Sequence, residues 1–473
     1  MKYAAAFLCA LFVLSACSKS AGPGVKGRNP WTIPGVLRIG EQQEPDSLNL
    51  MFGNNDATDQ VTALLYSFLL RYDGDGNYIP DLALQVPTLA NGGISPDQRT
   101  ITLHLRKNAR WSDGAPLTAA DWLFTYSAVR NPRNNVKTHY GWEDIASANA
   151  PNPYTLVIHL KRPSVAALDT LTMSGSAYPP LPAHLLAKLP DINTTKFNNA
   201  PVSSGPFVLK QWNHGSALIF EPNPFYYRGV AKLKQIVWKI VPDTNTLFSQ
   251  LQTHEIDIYP NVDSNAVARL GSVNGIRVLH RTVASWRHLG INTNIPQLRD
   301  VRVRQAIAYG IDWKRINDTV YHGYNQLAVS DIYPQSWAAP SLPPYRYDPA
   351  RARALLRAAG WTMGSDGVLH NGGLAMHLTM SATTSTKSND ESEVVMQSML
   401  RTLGFDVAIR NYPSSLMFAQ NGPLYSGKYN LEWSIDTNGP DPDNAGSWNS
   451  AFIPPRGANT SWLRDPIVDA TSA

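Results

Sequence analysis

The stretch from Trp286 to Ile316 constrains the possible folds of this 473-residue chain more than any other part of the sequence. It begins as a strand of mixed polarity and breaks at Ile295-Pro296, because proline cannot donate a backbone hydrogen bond. Asp300 and Asp312 can each cap a helix, since a carboxylate accepts the free amides of a first helical turn. Apolar and small residues then recur at helical spacing and predict one buried face, formed by Val303, Ala306, Ile307 and Gly310. The stretch therefore predicts a strand, a turn and two capped helices.

Other segments carry equally local signals. Thr118 and Asp121 form a capping box, which predicts a helix that begins at this point. A helix over 350–359 is predicted because Asp348 can cap its start and Gly360 can end it. Alternating apolar residues predict a half-buried strand that contains Ile101, Leu103 and Leu105.

The N-terminal residues 1–17 have the layout of a secretory signal. Lys2 precedes the apolar run Ala4–Leu14, which is too short to span a bilayer as a mature helix. The ending Leu-Ser-Ala-Cys resembles a bacterial lipobox, in which Cys17 is lipidated and becomes the mature N-terminus; the alternative is an ordinary signal peptide with a chance cysteine. Residues 18–35 are rich in Gly, Pro, Ser and Lys without periodicity, and predict a flexible tether.

Cysteine content and charge exclude several classes of protein. Cys9 lies within the signal and no cysteine follows Cys17, so the mature chain has no disulfide and no thiol ligand for a metal. A net charge of +5 is too small and diffuse to indicate nucleic-acid binding. After residue 17 no apolar run approaches membrane-spanning length, so lipid would be the only attachment to a membrane.

Motifs for catalysis are missing from the sequence. It contains no G-x-S-x-G, H-E-x-x-H or P-loop, and its 11 histidines do not occur at zinc-ligand spacings. We therefore expect no catalytic residue, no metal ligand and no cofactor. The 13 tryptophans and 20 tyrosines suit a pocket that holds varied ligands against flat apolar surface, although they can also simply fill a large core.

Several ordered blocks resemble one family. Three of these blocks are the segment D-V-R-V-R-Q-A-I-A-Y-G-I-D of residues 300–312, the block W-S-D-G-A-P-L-T-A-A-D of residues 111–121 and the motif Y-D-P-A-R-A-R-A-L-L-R-A-A-G-W of residues 347–361. They are similar to the peptide and nickel class of substrate-binding proteins, which serve ABC importers. Trp313 departs from the family, which usually has Arg there. The resemblance runs from about residue 36 to the end of the chain.

This resemblance implies an α/β, two-lobed, periplasmic-binding-protein-like fold of type II, in the large class with an extra inserted subdomain. Lobe 1 is expected to combine residues 36–66 and 196–283, with the subdomain 67–195 inserted between them. Lobe 2 is expected over 284–473. We expect lobe 2 to be incomplete at its C-terminus, because residues 462–470 resemble a helix start that the family follows with further helices.

The resemblance also implies a function. The chain is expected to be an extracytoplasmic receptor that binds peptides between two closing lobes and delivers them to an ABC importer. The alternatives are a nickel chelate, a sugar or another small solute in the same fold, and, from another class, a peptide hydrolase. The expected partners are a peptide, the permease subunits in the inner membrane and, through the N-terminal lipid, the membrane; nucleic acid is not among them. The protein is expected to be a monomer anchored on the periplasmic side or the cell surface.

The resemblance also suggests where the ligand binds. Residues 431–436 alternate as a strand and break into a Gly/Pro-rich loop. In dipeptide- and oligopeptide-binding relatives, an aspartate at this strand end, three residues after a tryptophan, holds the peptide's α-ammonium. The motif match assigns that role to Asp436, with Trp433 as a pocket wall and Trp286 as a further residue lining the cleft. The alternative is that Asp436 merely caps the loop.

Overall fold

The structure is a computed structural model that describes residues 29–53, 55–139, 141–173, 177–281, 283–384, 387–419, 421–437 and 444–471. The predicted signal peptide, Cys17 and the first part of the predicted tether lie outside the described residues. No helix within these ranges is long and apolar enough to cross a membrane.

The first half of the chain alternates strands with helices. Its strands are β1 (Val36–Glu41), β2 (Leu70–Tyr72), β3 (Tyr78–Pro80), β4 (Thr100–His104), β5 (Ile145–Asn152), β6 (Thr155–Leu160), β7 (Phe207–Asn213), β8 (Ala217–Pro222) and β9 (Gln235–Ile240). Its helices are α1 (Asp56–Leu65), α2 (Ala119–Arg130), α3 (Ala183–Leu186), α4 (Thr244–Gln252) and α5 (Ser264–Leu270).

The second half has the same mixed character. Its strands are β10 (Ser285–Ile291), β11 (Thr362–Met363), β12 (Leu369–Asn371), β13 (Leu374–Ala375), β14 (His377–Ala382), β15 (Asp406–Ile409) and β16 (Leu431–Thr437). Its helices are α6 (Val301–Gly310), α7 (Trp313–Val320), α8 (Pro349–Ala358), α9 (Lys387–Arg401), α10 (Ser414–Met417), α11 (Ala445–Trp448) and α12 (Pro466–Thr471).

One hydrophobic core joins two sheets of the first half. The first sheet has the strand order β1-β9-β8-β7, with β1 parallel to β9, and the second has the antiparallel order β4-β6-β5. Buried side chains from both sheets belong to the same cluster, for example Ile101 of β4, Leu156 of β6 and Phe220 of β8. Residues 67–195 thus bury their apolar surface together with the β1 sheet.

A buried carboxylate ties these two parts together. The side chain of Asp81, which follows β3, is fully buried and accepts a hydrogen bond from the Phe68 amide at 2.9 Å. Arg71 Nε and Arg228 Nη2 each lie 3.3 Å from one of its oxygens, and the Tyr227 hydroxyl donates to it. The carboxylate therefore connects the β2–β3 hairpin to the loop after β8.

The second core forms around the stretch from Trp286 to Ile316. Asp300 caps α6 by accepting a hydrogen bond from the Arg302 amide at 2.8 Å, and Asp312 caps α7 in the same way. The predicted apolar face of α6 is buried, so this prediction is confirmed. Gly310 packs so closely against Leu403 that a Cβ atom at this position would overlap the Leu403 side chain.

The other local predictions are confirmed with small shifts of boundary. The capping box is present, since the amide of Thr118 donates to Asp121 Oδ2 at 2.8 Å and the Thr118 side chain caps α2. Helix α8 begins one residue earlier than predicted and is capped by Asp348. Gly360 follows it with a φ of 88°, a conformation that favours glycine at the end of a helix.

The end of the predicted tether belongs to the folded chain. Trp31 stacks on His254 with ring centroids 3.7 Å apart, and Arg38 Nη2 donates to the Trp31 carbonyl at 3.4 Å. Trp31 therefore packs against the folded chain within the segment 18–35 that is predicted to be a flexible tether. The Gly/Pro-rich composition of the segment does not indicate this stacking partner, which is more than 200 residues away in the sequence.

Candidate functional site

Strand β16 has, near its carboxyl end, an edge with which no other strand of the described residues pairs (the open edge of β16). Leu431, Glu432 and Trp433 pair with β14 on one side, while β10 pairs with β16 along its whole length on the other. From Ser434 to Thr437, β10 is the sole neighbouring strand that the described ranges provide. The backbone groups on this edge are therefore in position to pair with an extended chain.

Asp436 and His288 lie on the same face of the β10–β16 pair. The register places Trp286 opposite Asp436 and His288 opposite Ser434, and side chains two residues apart on a strand share a face. His288 Nε2 lies 3.8 Å from Asp436 Oδ2, and the His288 ring stacks on Trp286 with centroids 4.0 Å apart. The Asp436 side chain is 59% exposed, whereas that of His288 is 19% exposed. This face thus presents an accessible carboxylate beside a largely buried imidazole.

Trp433 points to the opposite face. Its ring is 4% exposed, stacks on Trp313 with centroids 6.3 Å apart, and lies 5.6 Å from the guanidinium carbon of Arg287. It belongs to the second hydrophobic core. Of the three residues predicted to bind the ligand, the structure brings Asp436 and Trp286 together and places Trp433 in the core behind them.

Glu432 is a second carboxyl group on the face of Asp436. Glu432 is 3% exposed, and its Oε1 atom has no hydrogen-bond partner within the described ranges. Burial, with a further contribution from the charge of Asp436, raises the pKa of Glu432 to about 7. Gly290 lies opposite in β10, where a Cβ atom would come within 3.0 Å of Glu432 Oε2. The small residue in β10 therefore leaves the space that this carboxyl group fills.

The loop between α7 and α8 brings a third acidic group towards His288. Asp331 Oδ2 accepts hydrogen bonds from Asn444 Nδ2 and Trp448 Nε1, both at 2.6 Å. Burial lowers the pKa of His288, while the negative charges of Asp436 and Asp331 oppose that shift. The protonation of this histidine is therefore sensitive to any change of charge at Asp436.

Polar contacts around the start of α5 join the two halves of the chain. Asp263 caps α5 and accepts a hydrogen bond from the Ser388 hydroxyl of α9. Asn265 Nδ2 donates to Glu391 Oε2 at 3.4 Å, and His322 Nε2 lies 3.1 Å from Asn265 Oδ1. The two halves are thus in direct contact at α5.

The parallel strands indicate which part of the first half could share a ligand with β16. Ligands of open α/β sheets bind outside the carboxyl ends of the strands. Strand β1, parallel to β9, ends at Glu41, whose pKa is raised by burial. Gln42 follows, and its Nε2 donates to the Tyr259 hydroxyl at 3.0 Å. Glu41 and Gln42 therefore occupy the position in the first sheet that corresponds to Asp436 in the second.

Another histidine–carboxylate pair of the same sheet lies on the surface. His377 Nδ1 is 2.7 Å from Asp406 Oδ2, and both side chains are more than half exposed, at 60% and 54%. In the parts of the chain that the structure describes, no group of three or more His, Cys, Asp and Glu side chains is arranged to hold a metal ion. The His288–Asp436 pair differs from the His377–Asp406 pair because its imidazole is largely buried.

Sequence reasoning missed His288 and Glu432. The period of two along each strand would have placed His288 on the face of Trp286 and Glu432 on the face of Asp436. That signal was available, but neither the pairing of β10 with β16 nor its register follows from the sequence pattern.

Comparisons with known proteins give a consistent result. The model of the family described as bacterial extracellular solute-binding proteins, family 5 Middle, matches residues 77–454. The chain is 27% identical over 468 residues to the oligopeptide-binding protein AppA of Bacillus subtilis (strain 168), and the aligned region covers 96% of this chain and 84% of that protein.

Two solved structures agree closely with this one. The structure of AppA from Bacillus subtilis in complex with a nonapeptide has a TM-score of 0.81 at 25% identity, covering 92% of this chain and 86% of that one. NikZ from Campylobacter jejuni in complex with Ni(L-His) has a TM-score of 0.80 at 26% identity, covering 93% of this chain and 86% of that one.

Proposed function

Because this chain belongs to family 5 of the bacterial extracellular solute-binding proteins, we propose that it binds peptides between two closing lobes and delivers them to an ABC-type importer. Its similarity to an oligopeptide-binding protein along 96% of its length supports the peptide ligand. The predicted two-lobed α/β fold of periplasmic binding proteins is confirmed by the agreement with the two solved structures. Hinge closure around the ligand is the mechanism that such a fold allows.

The observation that carries the peptide proposal is the exposed carboxylate at the open edge of β16. An extended peptide can add a strand along Ser434–Thr437, so that its backbone groups replace the missing neighbour. Its α-ammonium then meets Asp436, and the ring of Trp286 lines the same face. Trp433 contributes in this proposal by anchoring the strand from the core side.

Calorimetric titration with tetra-alanine and its N-acetylated form tests the ammonium site. Loss of one partner of a buried charge pair typically costs about 2–5 kcal/mol, so with the cleft closed over the peptide Asp436→Asn is expected to weaken binding of the free peptide by about thirtyfold or more. Acetylation should weaken binding to the wild type to a similar extent. It should have little further effect on the variant, because both changes remove the same ion pair.

Asp406→Asn is the matched control. Asp406 lies in the same sheet, is similarly exposed and also faces a histidine, but it is at the amino end of β15 rather than at the carboxyl end of β16. This variant should retain the wild-type affinity for tetra-alanine. Equal affinity of the wild type for the free and acetylated peptides would remove Asp436 from the proposed site.

A nickel chelate is the second candidate ligand. It is favoured by the structural similarity to NikZ in complex with Ni(L-His), which equals the similarity to the peptide-bound relative within 0.01 in TM-score. Titration with nickel and L-histidine, together and separately, distinguishes the two. Tight binding of the chelate in the absence of tetra-alanine binding would favour this alternative, and binding of other small solutes such as sugars can be tested in the same way.

We propose that the protein acts as a receptor without turnover. Incubation of a tenfold excess of tetra-alanine with the protein, followed by mass spectrometry, separates this from peptide hydrolysis. Intact peptide after stoichiometric binding is the expected result, and shorter products would indicate a hydrolase.

The division into lobes and the membrane attachment are also proposals. Lobe 1 would comprise 36–66 and 196–283, with 67–195 inserted, and the sharing of one core by β1, β4 and β8 supports this grouping. Lipidation of Cys17 would anchor the receptor as a monomer on the periplasmic side or the cell surface, near its permease. Replacing Cys17 by Ser should release the protein from the membrane fraction of the native host.

A further inference from the structure

We propose that His288 is a positioning residue for the ligand site: its protonated form, populated at acidic pH, is the counter-charge of Asp436, and it loses its proton when a ligand ammonium group takes its place. The inference rests on the ammonium site proposed above. It adds to that proposal the protein group whose positive charge the ligand ammonium replaces beside Asp436.

The geometry favours a direct exchange of partners. His288 Nε2 is 3.8 Å from Asp436 Oδ2, so an ammonium in contact with this carboxylate would lie close to the imidazole. The ladder between β10 and β16 fixes both backbones, and the stacking of His288 on Trp286 at 4.0 Å holds the ring. Two positive charges in this space repel each other, and closure of the cleft over the ligand would strengthen that repulsion by excluding water. The ligand and the proton on His288 therefore compete.

The charges around His288 define the direction of the coupling. Burial lowers the pKa of His288, Asp436 and Asp331 raise it, and the neighbouring Arg287 lowers it. An ammonium bound to Asp436 cancels the largest of the raising charges, so the pKa falls further and a proton is released. By linkage, affinity then decreases as pH falls below the pKa of His288 in the free protein, by up to about tenfold per pH unit.

Glu432 must be separated from this effect. It lies on the same face as Asp436, and the charge of Asp436 contributes to its raised pKa. An ammonium at Asp436 would also favour the ionised form of Glu432, which releases a proton as well. The variants His288→Gln and Glu432→Gln remove one titrating group each and leave the other in place.

A titration of the free protein tests the pair without a ligand. The histidine ring protons are followed by NMR in the wild type and in Asp436→Asn, with the His288 signal identified by its loss in His288→Gln. The pKa of His288 is expected to be lower in Asp436→Asn, because the carboxylate that favours the imidazolium is gone. An unchanged pKa would overturn the proposal.

The second experiment measures proton-linked binding of tetra-alanine by calorimetry at pH 5.5 and 7.5. The ratio of the two dissociation constants is compared within each variant, so a change in absolute affinity does not affect it. We expect tetra-alanine to bind about two- to tenfold more weakly at pH 5.5 than at pH 7.5 in the wild type, a smaller ratio in His288→Gln, where only Glu432 still releases a proton, and the wild-type ratio in the exposed control His377→Gln. Thermal melts of each variant confirm that it is folded at both pH values.

The outcomes distinguish this inference from the proposed function. A wild-type ratio retained in His288→Gln but lost in Glu432→Gln would overturn the role of His288 and assign the proton to Glu432. If tetra-alanine does not bind, or if acetylation does not weaken its binding, the ammonium site fails. The NMR titration still decides in that case whether Asp436 and His288 are coupled.

Discussion

Glu432 makes the stability of the second half of the chain depend on pH in a direction opposite to that of most carboxyl groups. Its side chain is almost completely buried, and burial raises its pKa from 4.5 to about 7. The folded protein therefore holds a proton that the unfolded chain has already lost between these two values. The contribution of the protonated Glu432 to the free energy of unfolding is fully present below about pH 4.5 and is lost as the pH rises through about 7.

The magnitude follows from the size of the pKa shift. Each pKa unit corresponds to about 1.4 kcal/mol, so the buried carboxyl group costs about 3 kcal/mol of unfolding free energy at pH 8.5 relative to pH 4.5. Replacing Glu432 by Gln keeps the size and polarity of the side chain but removes its titration. Relative to the wild type, Glu432→Gln is expected to gain about 3 kcal/mol between the two pH values.

Urea unfolding followed by tryptophan fluorescence measures this difference, since Trp313 and Trp433 stack within the second core. Any constant cost of the substitution cancels when the two pH values are compared. Glu391→Gln on α9 serves as the control, because Glu391 is partly exposed and paired with Lys387. If Glu432→Gln and the wild type lose stability in parallel as the pH rises, the carboxyl group does not titrate as the reasoning requires.

Two further predictions concern stability. Asp81→Ala removes the acceptor of the Phe68 amide and the partner of two arginines, so it should lower the free energy of unfolding by about 3 kcal/mol. This is less than the upper range for buried ion pairs, because both arginines reach solvent. A decrease of the melting temperature by less than 2 °C in differential scanning calorimetry would contradict this prediction. Gly310→Ala should destabilise the protein by about 1 kcal/mol, because the overlap of the new Cβ atom with Leu403 outweighs the gain in helix propensity. In a protein that already carries Leu403→Ala, the same substitution should be neutral or stabilising. Additive effects of these two changes in urea unfolding would refute the proposed overlap.

The sequence by itself determined the elements whose signals are local. A capping carboxylate acts on amides within the next turn, so Asp300, Asp312 and Asp348 each mark a helix start that the structure confirms. Alternation of apolar residues likewise predicted the strand that contains Ile101 and Leu103, although Leu105, also predicted within it, lies one residue past its end. The order of several motifs along the chain was sufficient for the family, and with it for the two-lobed fold, because such motifs need no knowledge of distant contacts.

Only the tertiary structure decided what surrounds Asp436. The sequence placed this residue at a strand end, but its neighbour His288 is 148 positions earlier, and their approach to 3.8 Å depends on the pairing of β10 with β16. The same pairing buries Glu432 over Gly290 and turns Trp433 into the core. A shift of the register by one residue would send each of these side chains to the other face. Strand order and register are settled by the packing of the whole sheet, and no local pattern encodes them.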